Sequence, residues 1–230
     1  MRIWITRAEP GASRTAQRVR ALGHEPVVAP LLETHALAAV IDLDGVGALA
    51  FTSTNGVRAF VSRSAERSLP VFTVGDATAR AARDAGFAEV ASAAGDLNAL
   101  ADLIAASAPG LKGSVLAPGP REPAGDLPRA LAAQGVTARA LALYETLPLA
   151  PPDGMGVVEA VLIHSPKAAE RLALAVGEPG TARPGLQAYC ISPAAAAPLA
   201  GRPFARIAWA AHPDEDSLLA LLPPPDDAAS

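Results

Sequence analysis

The stretch Gly135-Val-Thr-Ala-Arg-Ala-Leu-Ala-Leu-Tyr-Glu-Thr146 repeats an earlier one, Gly23-His-Glu-Pro-Val-Val-Ala-Pro-Leu-Leu-Glu-Thr34. Corresponding residues of the two copies are 112 positions apart. This holds for the leading glycines and for the closing Glu-Thr pairs, such as Glu33 and Glu145. The second copy carries Tyr144 where the first has Leu32. This repeat predicts that the chain has two similar halves. It also predicts a specialised role for Tyr144, the polar aromatic residue that only the second copy has.

The repeat extends over most of the chain. Leu49–Arg58 resembles Val161–Glu170 at the same spacing of 112 residues, and two later pairs are 117 and 118 residues apart: Val71–Ala79 with Ala188–Ala196, and Leu97–Ile104 with Glu215–Leu222. A spacing above roughly 100 residues indicates a duplicated domain and not a solenoid, whose repeats are far shorter. Each copy supplies about five short strands alternating with helices. The pattern predicts an α/β protein with two similar doubly wound, flavodoxin-like lobes built on parallel sheets.

The composition narrows the class of protein. Hydrophobic residues make up 50% of the 230 residues but aromatic residues only 4%, so the core must be aliphatic and rich in alanine. The net charge of −4 and the lack of a Lys/Arg run argue against a nucleic-acid partner. No apolar run approaches the ~18 residues of a membrane span, and the N-terminal apolar stretch is too short for a signal peptide. A single cysteine, Cys190, excludes a disulfide framework and favours the cytoplasm.

The turns that follow the predicted strands are rich in Gly, Ser, Thr and Pro. Such turns leave the amide groups of helix N-termini pointing outward, where they bind carboxylates and phosphates. Arg7, Arg58, Arg121 and Lys167 lie near these turns and add positive charge. The alternative for any single turn is simple helix capping, which Ser, Thr and Asp perform in every α/β protein. Eight such turns on a duplicated scaffold make an anion-binding function about as well supported as simple capping.

Other residues carry weaker signals. Tyr144 at a strand end is either a packed side chain or a phenol able to donate a proton. The four histidines are scattered, and no Cys/His/carboxylate spacing suggests a metal site. Pro118-Gly-Pro-Arg121 fits neither a dinucleotide fingerprint nor a P-loop, so nucleotide cofactors are unsupported. Asp214-Glu-Asp216 is interpreted as the cap of the last helix.

Six short motifs, in order along nearly the whole chain, resemble the uroporphyrinogen-III synthase family. They are Ile5-Thr-Arg-Ala, Ala50-Phe-Thr-Ser-Thr-Asn-Gly-Val, Val74-Gly-Asp-Ala-Thr, Tyr144-Glu-Thr, Ile163-His-Ser-Pro and Ile191-Ser-Pro-Ala. The resemblance implies an enzyme of heme biosynthesis that takes the linear tetrapyrrole hydroxymethylbilane. It implies loss of the terminal hydroxyl as water, inversion of ring D and closure of the macrocycle. It also implies a lyase reaction without cofactor or metal, and a monomer.

The resemblance further implies roles for named residues. Tyr144 matches the family's proposed proton donor. The substrate, which carries eight carboxylates, would be bound by strand-end turns and their neighbours: Arg7, Thr52, Ser53, Asn55, Gly75, Asp76, Ala77, Thr78, Gly119, Arg121, Ser165, Pro166, Lys167, Ser192, Pro193 and Ala194. The chain departs from the family at Ala194–Ala197, where members often carry threonines, so that turn is expected to offer backbone amides only.

The family also exchanges segments between its lobes. The resemblance implies one lobe from residues 1–35 and 148–230, a second from 36–147, a substrate cleft between them, and two extended linker strands near Leu32–Leu37 and Tyr144–Leu149. The residues themselves also permit a tandem arrangement split near Lys112. Two other functions stay open from the residues alone: a two-lobed binding or sensor protein for a small anion, and a sugar-nucleotide-type transferase.

Overall fold

The structure, a computed structural model, describes residues 1–9, 11–151, 157–177 and 185–224. The chain divides into two compact units. Unit 1 comprises Met1–Glu33 and Leu147–Ser230, and unit 2 comprises Thr34–Thr146. The prediction of an α/β protein with two sheets in which parallel pairing dominates is confirmed. Within the ranges given above, none of the helices has the length and apolar character needed to cross a bilayer.

Unit 1 contains one five-stranded sheet with helices against it. Its strands are β1 (Arg2–Ile5), β2 (Glu25–Val28), β9 (Ala160–Ile163), β10 (Gln187–Cys190) and β11 (Arg206–Trp209). Its helices are α1 (Gly11–Ala21), α6 (Pro166–Gly177), α7 (Pro193–Ala196) and α8 (Glu215–Leu219). The strand order is β11-β10-β9-β1-β2, and each neighbouring pair is parallel.

Alternation along β1 shows why this sheet is buried on both faces. Ile3 and Ile5 pack in one apolar cluster with Val19 of α1, while Trp4 packs in a second cluster with Leu172 of α6. Successive side chains of a strand point to opposite faces, so a fully apolar strand needs cover on both. The Trp4 indole N–H, buried in the second cluster, donates to the Ala29 carbonyl at 2.7 Å.

Unit 2 is organised around a six-stranded sheet. The strands are β3 (Leu32–Ala36), β4 (Val46–Phe51), β5 (Val71–Thr73), β6 (Val90–Ser92), β7 (Ser114–Pro120) and β8 (Ala138–Pro148), in the order β3-β8-β7-β4-β5-β6. The helices are α2 (Thr54–Val61), α3 (Asp76–Asp84), α4 (Leu97–Ser107) and α5 (Leu127–Ala132). The division between the units falls inside β3 and β8.

The strand order repeats between the units in the way the sequence echo predicts. The 112-residue spacing relates β1 to β7 and β2 to β8, and the later matches relate β4, β5 and β6 to β9, β10 and β11. Replacing each strand of unit 1 by its equivalent converts the order β2-β1-β9-β10-β11 into β8-β7-β4-β5-β6. That is the order observed for these five strands in unit 2. In unit 1 the chain order is 2-1-3-4-5 across the sheet, the order of flavodoxin.

Proline interrupts the extended chain between β2 and β3. These two strands follow closely in the chain but lie at the edges of different sheets. Pro30 lies between them and has no N–H to donate to a continuing ladder.

Candidate active site

Tyr144 lies on β8 and is almost fully enclosed, with 5% of its surface exposed. Its hydroxyl is 3.0 Å from Oγ of Ser53, and either oxygen can be the donor. Burial raises the pKa of the Tyr144 phenol, and the hydrogen bond with Ser53 lowers it in part. The phenol is therefore protonated at neutral pH and held by one defined partner.

Ser53 serves two contacts at once. It follows β4 and is the N-cap of α2, where its Oγ accepts a hydrogen bond from the Gly56 amide at 3.1 Å. An N-cap oxygen that accepts from the helix amide still has its own proton to donate. Asn55, in the first turn of α2, accepts from the Arg58 guanidinium at 3.4 Å. Thr52 precedes the cap and is half-buried.

The turn between β5 and α3 is open. Gly75 is the N-cap of α3 and provides no side-chain cap, and a Cβ placed on it would meet no atom within 4 Å. Asp76 and Ala77 are exposed in the first helical turn, whereas Thr78 is buried. A helix start without a side-chain cap is a position where backbone amides can bind an anion. Asp76, however, places a negative charge in the same helical turn.

The predicted Pro118–Glu122 turn begins later than expected. Strand β7 continues to Pro120 because Pro118 and Gly119 pair with β8, beyond the last residue that β7 pairs with β4. Gly119 therefore belongs to a strand and not to a turn, and this element of the prediction is wrong. Arg121 follows the strand, where its guanidinium forms an ion pair with Glu145 at 2.8 Å and its amide donates to the Tyr144 carbonyl at 2.7 Å.

Two turns of unit 1 match those of unit 2. Ser165 follows β9 and its Oγ accepts from the Ala168 amide at 3.2 Å, while Ser192 follows β10 and accepts from the Ala195 amide at 3.2 Å. Pro166 and Pro193 are the first residues of α6 and α7. A proline there costs no hydrogen bond, because the first amides of a helix have no intrahelical partner. Lys167 and Ala194 are exposed in the same helical turns.

A polar cluster in unit 1 was not predicted. The carboxylate of Glu215, at the start of α8, accepts hydrogen bonds from Arg7 at 2.9 Å, Thr15 at 2.5 Å and His164 at 3.2 Å. Burial alone would raise the pKa of Glu215, but the hydrogen bonds from His164 and Thr15 and the charge of Arg7 lower it to about 2. Burial lowers the pKa of His164, and the charge of Arg7 adds to that effect.

The sequence offered one weak sign of this cluster. Asp214-Glu-Asp216 was interpreted as a cap, and Asp214 does cap α8 by accepting from the Ser217 amide at 2.7 Å. Glu215 does not cap the helix. Its carboxylate accepts hydrogen bonds from Arg7 and Thr15, which lie about 200 positions away in the chain. Contacts over that distance leave no local pattern.

Within each unit the structure brings some of the predicted residues together. In unit 2, Ser53 contacts Tyr144, and Arg121 forms an ion pair with Glu145, the residue that follows Tyr144. In unit 1, Arg7 and His164, which precedes Ser165, both donate to the carboxylate of Glu215. Among the residues described, no group of three or more His, Cys, Asp or Glu side chains is placed to hold a metal ion.

The model of the uroporphyrinogen-III synthase HemD family matches residues 13–220. The chain belongs to this family. The family identified from the six sequence motifs is thereby confirmed, and the anion-binding protein without catalysis is not favoured. No match was found among curated protein sequences.

Two solved structures resemble the fold. A uroporphyrinogen-III synthetase from Helicobacter pylori is 18% identical with a TM-score of 0.65, and 96% of each chain is covered. A mutant uroporphyrinogen III synthase from the extremely thermophilic bacterium Thermus thermophilus is also 18% identical, with a TM-score of 0.56 and 96% of each chain covered. At this identity the likeness shows a shared fold.

Proposed function

We propose that this protein is a uroporphyrinogen-III synthase, a cyclising hydro-lyase that converts hydroxymethylbilane into uroporphyrinogen III and water. The observation that carries the proposal is membership of the HemD family over residues 13–220. We further propose that it works as a monomer in the cytoplasm, with no nucleic-acid partner. The reaction needs no cofactor, because the pyrrole rings of the substrate supply the electrons.

The proposed reaction begins at the hydroxymethyl group. Its C–O bond breaks, both electrons go to oxygen, and the lone pair of the adjacent pyrrole nitrogen delocalises the positive charge left on carbon. A proton from the Tyr144 phenol converts the departing oxygen to water. The carbon then bonds to the ring D carbon that already carries the bridge from ring C, which gives a spiro intermediate. The original bond from that bridge breaks, and the bridge carbon rejoins ring D at its free α-carbon, so that the ring is inverted and the macrocycle closed. A proton lost from a ring carbon balances the one that Tyr144 gave.

The contact between Tyr144 and Ser53 supports this role. If Ser53 donates its proton to the phenol oxygen, the phenol proton is left to point at the leaving group. The Gly56 amide donates to Ser53 Oγ and occupies one of its two acceptor sites, which leaves the Ser53 proton available for the phenol oxygen. A hydrogen bond to the phenolate also stabilises the charged form, which makes the phenol a better acid.

We propose that the carboxylates of the substrate bind to the helix starts that follow the strands. Ser53, Gly75, Ser165 and Ser192 each begin a helix. Amides at such positions bind anions through their hydrogen bonds and the helix dipole. The proposed ligands next to these four positions are Thr52, Asn55, Asp76, Ala77, Thr78, Pro166, Lys167, Pro193 and Ala194. Three more proposed ligands lie elsewhere: Arg7 after β1, Gly119 in β7 and Arg121 after β7. Orientation of a folded substrate, more than acid–base chemistry, is the main source of catalysis in this proposal.

We propose the lobe assignment of residues 1–35 with 148–230 and of 36–147, each lobe flavodoxin-like and doubly wound. In this proposal β3 and β8 serve as the linker strands. The continuity of β8 over eleven residues supports that role.

The test is the isomer assay. Purified protein supplied with hydroxymethylbilane should yield the type III isomer of uroporphyrinogen. In the control without protein, the substrate closes without inversion and gives type I. Exclusive formation of type I in the presence of the protein would refute the proposed function.

A further inference from the structure

The carboxylate of Glu215 connects three elements of unit 1 to the start of α8. Its Oε2 accepts from Arg7, which follows β1, and from His164, which follows β9. Its Oε1 accepts from Thr15 on α1. The Glu215 side chain is 22% exposed and that of His164 8%, so the contacts are largely sheltered from water. Charge-assisted hydrogen bonds of this kind are stronger than those between neutral groups.

The cluster lies at the place in unit 1 where the fold favours binding. Strands β1 and β9 are neighbours near the centre of the sheet, and the chain order reverses between them. In open parallel sheets, ligands bind beyond the carboxyl ends of the strands at such a reversal. Thr6 ties the two strand ends together by donating to the Leu162 carbonyl at 2.7 Å.

Gly11 provides the space for the Arg7 side chain. A Cβ placed on Gly11 would lie 2.4 Å from Nε of Arg7 and 2.6 Å from its Nη2. The guanidinium therefore rests against the first residue of α1, in a position that a larger residue would occupy. Because a guanidinium is the flexible end of its side chain, an alanine at position 11 would displace it without preventing the fold.

Burial lowers the pKa of His164 and keeps the ring neutral, and the charge of Arg7 adds to that effect. Arg7 and Glu215 cancel, and a protonated imidazole would add a buried positive charge beside Arg7. The neutral ring donates from Nε2 to Glu215, which orients it next to Ser165. Ser165 is the residue that begins α6 and caps it. The carboxylate thus acts on the β9–α6 turn through the orientation of His164.

We propose that Glu215 is a positioning residue, which holds the turns after β1 and β9 in the geometry that binds the carboxylates of the substrate. This inference rests on the proposed function, since it concerns the binding of hydroxymethylbilane. Glu215 need not touch the substrate. A displacement of about 1 Å at the Ser165–Lys167 turn would misalign several hydrogen bonds at once, and that is enough to weaken binding substantially.

The experiment measures kcat and KM for type III formation in Glu215→Gln, with Asp216→Asn as the matched control. Asp216 is the next residue of α8, is 87% exposed and pairs with Arg18, so its substitution removes the same charge from the same helical turn. We expect Glu215→Gln to raise KM by roughly 5- to 30-fold with kcat within about twofold, the pattern of lost uniform binding. Asp216→Asn should leave both constants unchanged.

Two further variants separate positioning from folding. Gly11→Ala displaces Arg7 by steric contact and should also raise KM while the melting temperature stays near that of the wild type. His164→Leu should raise KM, and His164→Gln, which keeps an N–H donor facing Glu215, should restore most of it. If Glu215→Gln does not fold, the two His164 variants still decide the question, because Arg7 is itself a proposed ligand whereas His164 is not.

The outcomes are distinct. Wild-type protein that forms type III, together with Glu215→Gln and Gly11→Ala variants whose KM is unchanged, would overturn the positioning role and leave the proposed function intact. A lowered melting temperature with unchanged KM would make the cluster purely structural. Wild-type protein that forms no type III would overturn the proposed function, and this inference with it.

Discussion

The Tyr144 hydroxyl lies 3.0 Å from the Ser53 hydroxyl, although the two residues are 91 positions apart in the chain. The pair joins strand β8 to the start of α2, both in unit 2. The amide of Gly56 completes a short chain of hydrogen bonds that ends on the phenol. A helix N-terminus is thus connected, through one serine, to the proposed proton donor.

Removal of the phenol hydroxyl tests the proton donor. Tyr144→Phe should reduce kcat for type III formation by roughly 10- to 1000-fold, within the range expected for the loss of a general acid. The product should stay type III, because orientation of the substrate does not depend on the phenol. The measurement is steady-state turnover with isomer analysis, and an unchanged kcat would remove Tyr144 from the mechanism.

Substitution of Ser53 tests the direction of the hydrogen bond. Ser53→Ala should lower the free energy of unfolding by about 1 kcal/mol through loss of the α2 cap. It should also reduce kcat by roughly 10-fold, because the phenolate loses a stabilising donor. Asp96→Ala is the matched control, since Asp96 caps α4 in the same unit. That variant should lose similar stability with an unaltered kcat, and equal losses of kcat in both variants would contradict the prediction.

Acid should destabilise the protein through the Glu215 cluster. The pKa of Glu215 is about 2 in the folded protein, against an ordinary value of 4.5, so its contribution is complete above pH 4.5 and is lost as the pH falls toward 2. The lowered pKa of His164 acts in the same direction, because below about pH 6.5 the unfolded chain takes up a proton that the folded protein does not.

Urea unfolding across this pH range measures the effect. The Glu215 carboxylate accounts for up to roughly 3 kcal/mol of the free energy of unfolding at pH 7. In Glu215→Gln the unfolding midpoint should be lower at pH 7 and should fall less steeply between pH 4.5 and pH 2. Parallel curves for the variant and the wild type would show that the carboxylate is not the group responsible.

Cys190 should be unreactive in the folded protein. It is fully buried in β10, and burial raises the pKa of its thiol to about 12. Only the thiolate is nucleophilic, so its population at pH 8 is negligible. Iodoacetamide should modify Cys190 only after denaturation, with mass spectrometry as the measurement. Rapid labelling of native protein would show that the strand opens.

The amino-acid sequence by itself determined the duplicated α/β fold and the positions of most turns. It did so because a parallel strand buried on both faces is a continuous apolar run, as in Ile3-Trp-Ile5, and because glycine and serine mark the ends of neighbouring helices. The 112-residue echo related the two sheets even though their strands occur in different chain orders. Gly119 was misplaced because two prolines imitate a turn, whereas partner strand β8 keeps the segment extended.

Only the tertiary structure decided which side chains meet. Nothing near Ser53 in the chain indicates Tyr144, and nothing near Glu215 indicates Arg7, Thr15 or His164. These contacts form because β-α connections return the chain to the same sheet edge after 51 to 208 residues, while sequence patterns report only on neighbours within a few turns. The side chains of a site are therefore predictable in type from their local turns, but their partners depend on the packing of distant strands.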